Sequence, residues 1–167
     1  MIPEPTEPLN IYDYFLGDRV AEGNGDRRAL LTDVGETTYG EVAERAGRFA
    51  ALLRKGGISP GDRVIVSMDD GVDYVASLFG ILRAGGVVVM VNPHLAPEAV
   101  AYFFDYTTPV AALVSAEATS TFEKAAELAG HSPRLVTVGG SAFEAALDAL
   151  DPNEPVEATA AEDPAVF

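Results

Sequence analysis

Four groups of polar side chains stand where chemistry could be done: Asp69 with Asp70, Asn92 to His94, Ser115 to Glu117, and Gly139 to Ser141. Each directly follows a short apolar run. An acidic pair at a strand end could serve a phosphoryl-accepting site, but the Lys that such a site also requires is missing. Asp70 is therefore expected to cap the helix that opens near Val72, with Asp69 as its solvated neighbour. Gly139, Gly140 and Ser141 lie between a strand and a helix, where backbone N–H groups can cradle a phosphate. Two glycines make neither a dinucleotide fingerprint nor a Walker-type loop, and no Lys follows, so a plain turn is expected. The same holds for Gly23, Asn24, Gly25 and Asp26. His94 and His131 are the only histidines and there is no cysteine, so a zinc site would have to recruit scattered carboxylates. No Ser occupies a Gly-x-Ser-x-Gly elbow, which leaves nucleophilic hydrolysis without local support.

The elements that must position these groups are legible in the apolar pattern. Arg63 to Ser67, Val87 to Val91, Ala111 to Ser115 and Leu135 to Val138 are continuous apolar runs, which suit strands buried on both faces. They alternate with helix-like segments, which argues for right-handed crossovers, a mainly parallel sheet flanked by helices, and an α/β fold. Ligands of such sheets bind beyond the C-terminal strand ends, where the four polar groups fall. Upstream, Ala29 to Thr32 and Glu36 to Tyr39 flank a turn at Asp33, Val34 and Gly35 and predict a hairpin. An amphipathic helix follows, with Val42, Ala46, Phe49, Ala50 and Leu53 on one face, a capping box from Thr38 and Glu41, and Gly56 with Gly57 at its end. Later helices are expected to open at Asp70, at Pro97, at Ser120 with Glu123, and at Ser141 with Glu144. Phe79 and Leu82 are expected to be buried together with Phe49 and Leu53.

Composition bounds what such a fold can serve. The 167 residues suffice for one core, and 48% hydrophobic content is ordinary for a folded protein. Acidic residues number 26 against 11 basic, and the formal charge of −15 repels a phosphate backbone, which excludes nucleic-acid binding. The absence of cysteine excludes disulfides and thiolate chemistry. Pro3, Pro5 and Pro8, with no basic residue before Arg19, are wrong for a secretion signal, and the longest apolar run is far short of the roughly 20 residues of a membrane helix. A cytoplasmic protein that neither enters a membrane nor binds nucleic acid is expected. Residues 1–9 read as an extended arm, residues 10–150 as the α/β body, and residues 151–167 as an acidic, Pro-containing linker, both ends being extended or mobile.

Several segments carry a more specific likeness. Thr37 to Leu53, TTYGEVAERAGRFAALL, resembles the opening motif of the adenylate-forming ligases, and Phe79 to Pro93, FGILRAGGVVVMVNP, resembles their second. Between them GISPGDRVIV, Gly57 to Val66, is similar to the usual linking strand. Asn10 to Arg27, NIYDYFLGDRVAEGNGDR, resembles the benzoate and hydroxybenzoate CoA ligases in particular, and Glu162 to Phe167, EDPAVF, resembles the stretch that leads into their phosphate-binding loop. The resemblance implies the N-terminal subdomain of an enzyme that joins a carboxylate to coenzyme A using ATP and Mg, with an acyl-adenylate between. The phosphate loop, the ribose-binding Asp and the catalytic Lys would lie beyond Phe167. By that reading the chain is not catalytically competent alone, binds no ATP, Mg or CoA by itself, and takes the remaining ligase segments, in cis or in trans, as partners. Self-association through uncovered apolar surface is also expected. The resemblance further places the Asn92, Pro93, His94 turn near the CoA entrance, which makes His94 the one candidate binding residue, with no catalytic or metal-binding residue. The competing expectation is a stand-alone, non-catalytic α/β interaction module built on the same scaffold.

Overall fold

The computed structural model describes residues 9–167. After two π-helical turns, Asp13–Gly17 and Val20–Asn24, the chain forms an antiparallel hairpin of β1 (Arg28–Thr32) and β2 (Gly35–Thr38). Asp33 and Val34 make its two-residue turn, and Gly35 (φ +143°) opens β2. Helix α1 (Tyr39–Lys55) follows at once. Its capping box is formed as expected: Glu41 N–H donates to Thr38 Oγ1 at 3.2 Å, and Thr38 N–H donates to Glu41 Oε2 at 2.7 Å. Gly57 (φ +86°) takes the left-handed position just past the end of α1.

The chain then alternates: β3 (Arg63–Ser67), α2 (Val72–Arg83), β4 (Val87–Met90), α3 (Pro97–Thr107), β5 (Ala111–Ser115), α4 (Ala116–Leu128), β6 (Arg134–Val138) and α5 (Ser141–Asp148). Among the described residues the strands form one parallel sheet of order β4-β3-β5-β6. The expected α/β fold is thus present. Strand alternation explains the continuous apolar runs. Val64 and Val66 enter one core with α1, α2 and α5, while Ile65 enters a second core with α3 and α4. Phe49 fills the first core, and Phe104 packs against Phe122 in the second at 5.7 Å between ring centres. Helices α1 and α2 approach closely because Gly80 carries no side chain: a Cβ there would lie 2.5 Å from that of Phe49. No helix among the described residues is long and apolar enough to cross a membrane.

Several sequence expectations are corrected. Asp70 does not cap α2; Gly71, in extended backbone, precedes the helix without any side-chain cap. Helix α4 opens at Ala116 rather than Ser120, because β5 runs straight into it and Ser115 Oγ accepts the Ala118 N–H at 3.3 Å. The Ser120 and Glu123 pair lies inside the helix, where the same spacing caps nothing. At α5, Gly140 (φ +82°) takes the cap position, and Glu144 turns to Arg45 instead of closing a box with Ser141. Phe79 is half-buried rather than buried, meeting the Tyr12 ring edge-on at 6.3 Å between centres. Of the arm at residues 1–9, all but Leu9 lies outside the described residues.

Residues 151–167 form no helix, turn at 152–153 and at 161–162, and are tied down as a strap. Arg54 Nη1 donates to Glu154 at 2.9 Å and to the Pro155 carbonyl at 2.7 Å. Arg83 Nε donates to the Glu154 carbonyl at 2.8 Å while its guanidinium lies over the Tyr12 ring. Asn10 Nδ2 links the Leu82 and Glu157 carbonyls, and Leu9 N–H donates to Thr159 O at 2.8 Å. The strap ends beside β4, where Val166 forms a parallel bridge with Val88.

Candidate functional site

The polar groups after each strand gather at the C-terminal rim of the sheet, as a parallel sheet requires. Strand β3 lies between β4 and β5, so the chain reverses direction across the sheet there, the place where open α/β sheets form a crevice. A cavity of about 500 Å³ occupies it, with Met68, Asp69 and Asp70 after β3, Ser115 and Glu117 after β5, and Asp33 from the hairpin turn. Its wall is acidic, and the Arg45 that reaches it is taken up by Asp73 on that wall and by Glu144, so it repels rather than collects a phosphate. Among the described residues no group of three or more His, Asp or Glu is placed to hold a metal ion. Gly139 and Gly140 both take left-handed backbone (φ +99° and +82°) and form a turn before α5. These residues do not fit a nucleotide triphosphate with its Mg, and no chemical step is assigned to them.

His94 stands at the same rim. Its turn is built by Asn92, whose Oδ1 accepts the His94 N–H at 2.8 Å. The imidazole is 75% exposed and its Nε2 lies 3.1 Å from Asp69 Oδ1, itself 80% exposed. A protonated His94 would therefore meet a carboxylate first, which weakens its pull on a phosphate. His131 is at the opposite end of the sheet, with Nε2 2.7 Å from the Pro109 carbonyl. The two histidines do not come together.

The strongest electrostatic contacts, one bordering the rim cavity and one at the strap, were not anticipated. Arg45 joins α1 to α2 and α5 through Asp73 and Glu144, the latter bidentate at 2.9 and 3.0 Å. Burial works against the Arg45 charge, but the hydrogen bonds it donates to Glu144 and Asp73 outweigh it and raise its pKa. Beside the strap, burial raises the Tyr12 hydroxyl above its usual range although Arg83 pulls it down. Burial likewise raises the Asp13 carboxyl, with Asp18 adding to the effect. The sequence did hold one signal: Arg54 and Arg83 in the last turns of α1 and α2 complement the acidic residues 154–157.

Residues 17–167 match the family described as AMP-binding enzyme. The 3-hydroxybenzoate/4-hydroxybenzoate CoA ligase of Thauera aromatica is 32% identical over 139 residues, which is 83% of this chain and 27% of that protein. The benzoate CoA ligase of the same organism is 32% identical over 147 residues, again 27% of its length. A crystal structure of a benzoate CoA ligase from Burkholderia xenovorans superposes with a TM-score of 0.84 at 31% identity, covering 95% of this chain and 32% of that one. The chain thus spans about a quarter to a third of the length of these relatives. The described rim residues hold no reactive constellation, yet the fold as a whole superposes on the N-terminal part of such a ligase, and the chain belongs to the AMP-binding enzyme family.

Proposed function

We propose that this chain serves as the N-terminal section of an ATP-dependent acyl- or aryl-CoA ligase, with an aromatic carboxylic acid as the favoured substrate class. The observation that supports it is joint agreement of sequence and fold with an aryl-CoA ligase over nearly the whole chain. In such an enzyme the carboxylate displaces pyrophosphate from ATP to give an acyl-adenylate, and the CoA thiol then displaces AMP. A carboxylate oxygen is a poor leaving group until it carries AMP, and the departing pyrophosphate needs cations and aligned donors. The role of this chain is to hold the neighbouring sections that carry those groups. His94 is its residue on the CoA side, and ATP and CoA as co-substrates support a cytoplasmic setting.

The test is a chimera in which residues 17–167 replace the matching section of the Thauera benzoate CoA ligase. Benzoyl-CoA formation with release of AMP is the expected result, and a folded chimera that forms no adenylate overturns the proposal. The 167-residue chain alone is expected to give no saturable heat on calorimetric titration with Mg-ATP. Micromolar binding would show that this section carries a nucleotide site of its own.

A further inference from the structure

Asn10 is only 6% exposed, and its side-chain amide is fully engaged. Nδ2 donates to Leu82 O at 2.8 Å and to Glu157 O at 3.0 Å, while Oδ1 accepts the Tyr12 N–H at 2.8 Å. Among short side chains only an amide offers two donors and an acceptor together. One residue thereby joins the start of the first π-helical turn, the end of α2 and the strap. The strap lies close there because Gly85 (φ +79°) carries no side chain: a Cβ would sit 2.6 Å from Glu157 Cγ. Glu157 N–H donates to Arg83 O at 2.9 Å, so the last carbonyls of α2 find partners in Asn10 and the strap. Leu9 closes the same clasp, its N–H donating to Thr159 O at 2.8 Å and its carbonyl accepting the Thr159 hydroxyl. Beyond the clasp the strap turns, Asp163 N–H donating to Ala160 O at 3.2 Å, and reaches β4, where Val88 N–H donates to Ala165 O at 2.9 Å.

We infer that Asn10 is a positioning residue for the proposed ligase: by joining α2 to the strap it fixes the path on which the strap reaches β4, and with it the placement of the section that follows in the longer relatives. Arg54 and Arg83 hold the strap at residues 154–157. Asn10 and Leu9 hold the later part, at residues 157–159, and so set the direction of what comes after. Without the amide, the Leu82 and Glu157 carbonyls lose a buried partner, and the strap is free to choose another course. The section that follows is the part of a ligase that this chain does not span, since the relatives are several times its length. As far as the reaction is concerned the inference rests on the proposed function, whereas the course of the strap belongs to this chain alone.

Asn10→Asp is the discriminating variant. It keeps the oxygen that accepts the Tyr12 N–H but sets a carboxylate against the Leu82 and Glu157 carbonyls. In the 167-residue chain, amide exchange is read at Glu157 inside the clasp, at Val88, whose partner is Ala165, and at Val110, which donates to Arg63 O at 2.9 Å. Exchange at Glu157 and Val88 is expected to speed up about tenfold or more, with Val110 unchanged. Thr159→Val, which removes the hydroxyl bond to Leu9, should move the same two amides in the same direction by less. Unchanged Val88 exchange in Asn10→Asp overturns the inference, because the clasp would then be a local tie. Where Asn10→Asp unfolds the chain or speeds all three amides alike, Thr159→Val decides by the same criterion. In a chimera that carries residues 9–167 at the head of the Thauera benzoate CoA ligase, Asn10→Asp is expected to raise the KM for Mg-ATP about fivefold or more and to leave that for CoA within about twofold. Loss of folded enzyme lowers kcat and leaves both KM values alone, so a fall in kcat only overturns the positioning role. An unsubstituted chimera without activity counts against the proposed function, and the Val88 amide still decides whether Asn10 sets the course of the strap.

Discussion

Acidic residues serve opposite ends of this molecule in opposite ways. On the strap side, Glu154 and Glu157 meet Arg54, and Arg83 binds the backbone between them and α2. At the rim, Asp69, Asp70 and Glu117 line an open cavity, where the exposed His94 meets Asp69 and Arg45 is taken up by Asp73 and Glu144. Partly buried charges held by bidentate or backbone contacts fix geometry, whereas exposed carboxylates mostly keep a surface solvated. The arginines of α1 and α2 are occupied in holding the chain's own segments in place. Among the described residues that line the rim cavity there is no Lys or Arg, and the Arg45 beside it is already paired.

Substitutions can break or sharpen this contrast. The largest effect should come from the core beneath both regions: Phe49→Ala leaves a cavity where α1 meets α2 and is expected to cost about 3–5 kcal/mol, out of a total of roughly 5–15. Thermal and urea melts measure it. Phe79→Ala, at a half-buried site, should cost clearly less, and equal losses would show that the α2 face is assigned wrongly. Arg83→Ala should follow, at about 2 kcal/mol, because it strips the strap of its backbone acceptor contacts and Tyr12 of its cation. Proteolysis within residues 151–165 should accelerate in the same variant, and an unchanged digestion pattern would deny the strap its anchor.

Smaller effects follow. Thr38→Ala should cost about 1 kcal/mol by opening the α1 cap. The Thr38 backbone N–H holds the Glu41 carboxyl below its usual range, with the Thr38 hydroxyl adding to this. The folded form therefore binds that proton more weakly than the unfolded chain. The cap is fully effective above the ordinary carboxylate value of about 4 and fades as pH falls through the depressed folded value. The Asn153 N–H acts on Asp151 in the same sense, while the raised Asp13 carboxyl acts in the opposite one. In Thr38→Ala the acid limb of stability against pH should flatten, and an unchanged limb would remove Glu41 from the account. Least of all, Asp69→Asn and His94→Ala should each shift stability by under about 0.5 kcal/mol. A larger loss would mean that the rim side chains hold structure together as the strap's do.

What is readable in the sequence depends on how local the cause is. The capping box at Thr38 and Glu41, Pro97 at the start of α3 and the buried face of α1 are set by neighbours three or four positions away. Those patterns behave as expected. The start of α4 escapes that logic because Ser120 and Glu123 have cap spacing but lie inside a helix that Ser115 has already opened. Asp70 misleads because the backbone extends through Gly71 before α2 turns, so no side chain reaches the first turn. His94 falls at the rim by its position after β4, but its partner, Asp69, comes from another strand end.

By itself the sequence determined the alternation of strands and helices, the two-faced burial of the strands, the family and the charge. The alternation, the burial and the charge are written in composition or in residue periods that need no distant partner, and the family in the resemblance of contiguous motifs. Tertiary structure alone decided the order β4-β3-β5-β6, the joining of Arg54 to Glu154, the half-exposure of Phe79 and the link from Asn10 to the strap. Those outcomes depend on which surfaces remain after the crossovers have packed. A segment's own pattern shows that it has an apolar or charged face, but the face across from it is chosen by the folded chain.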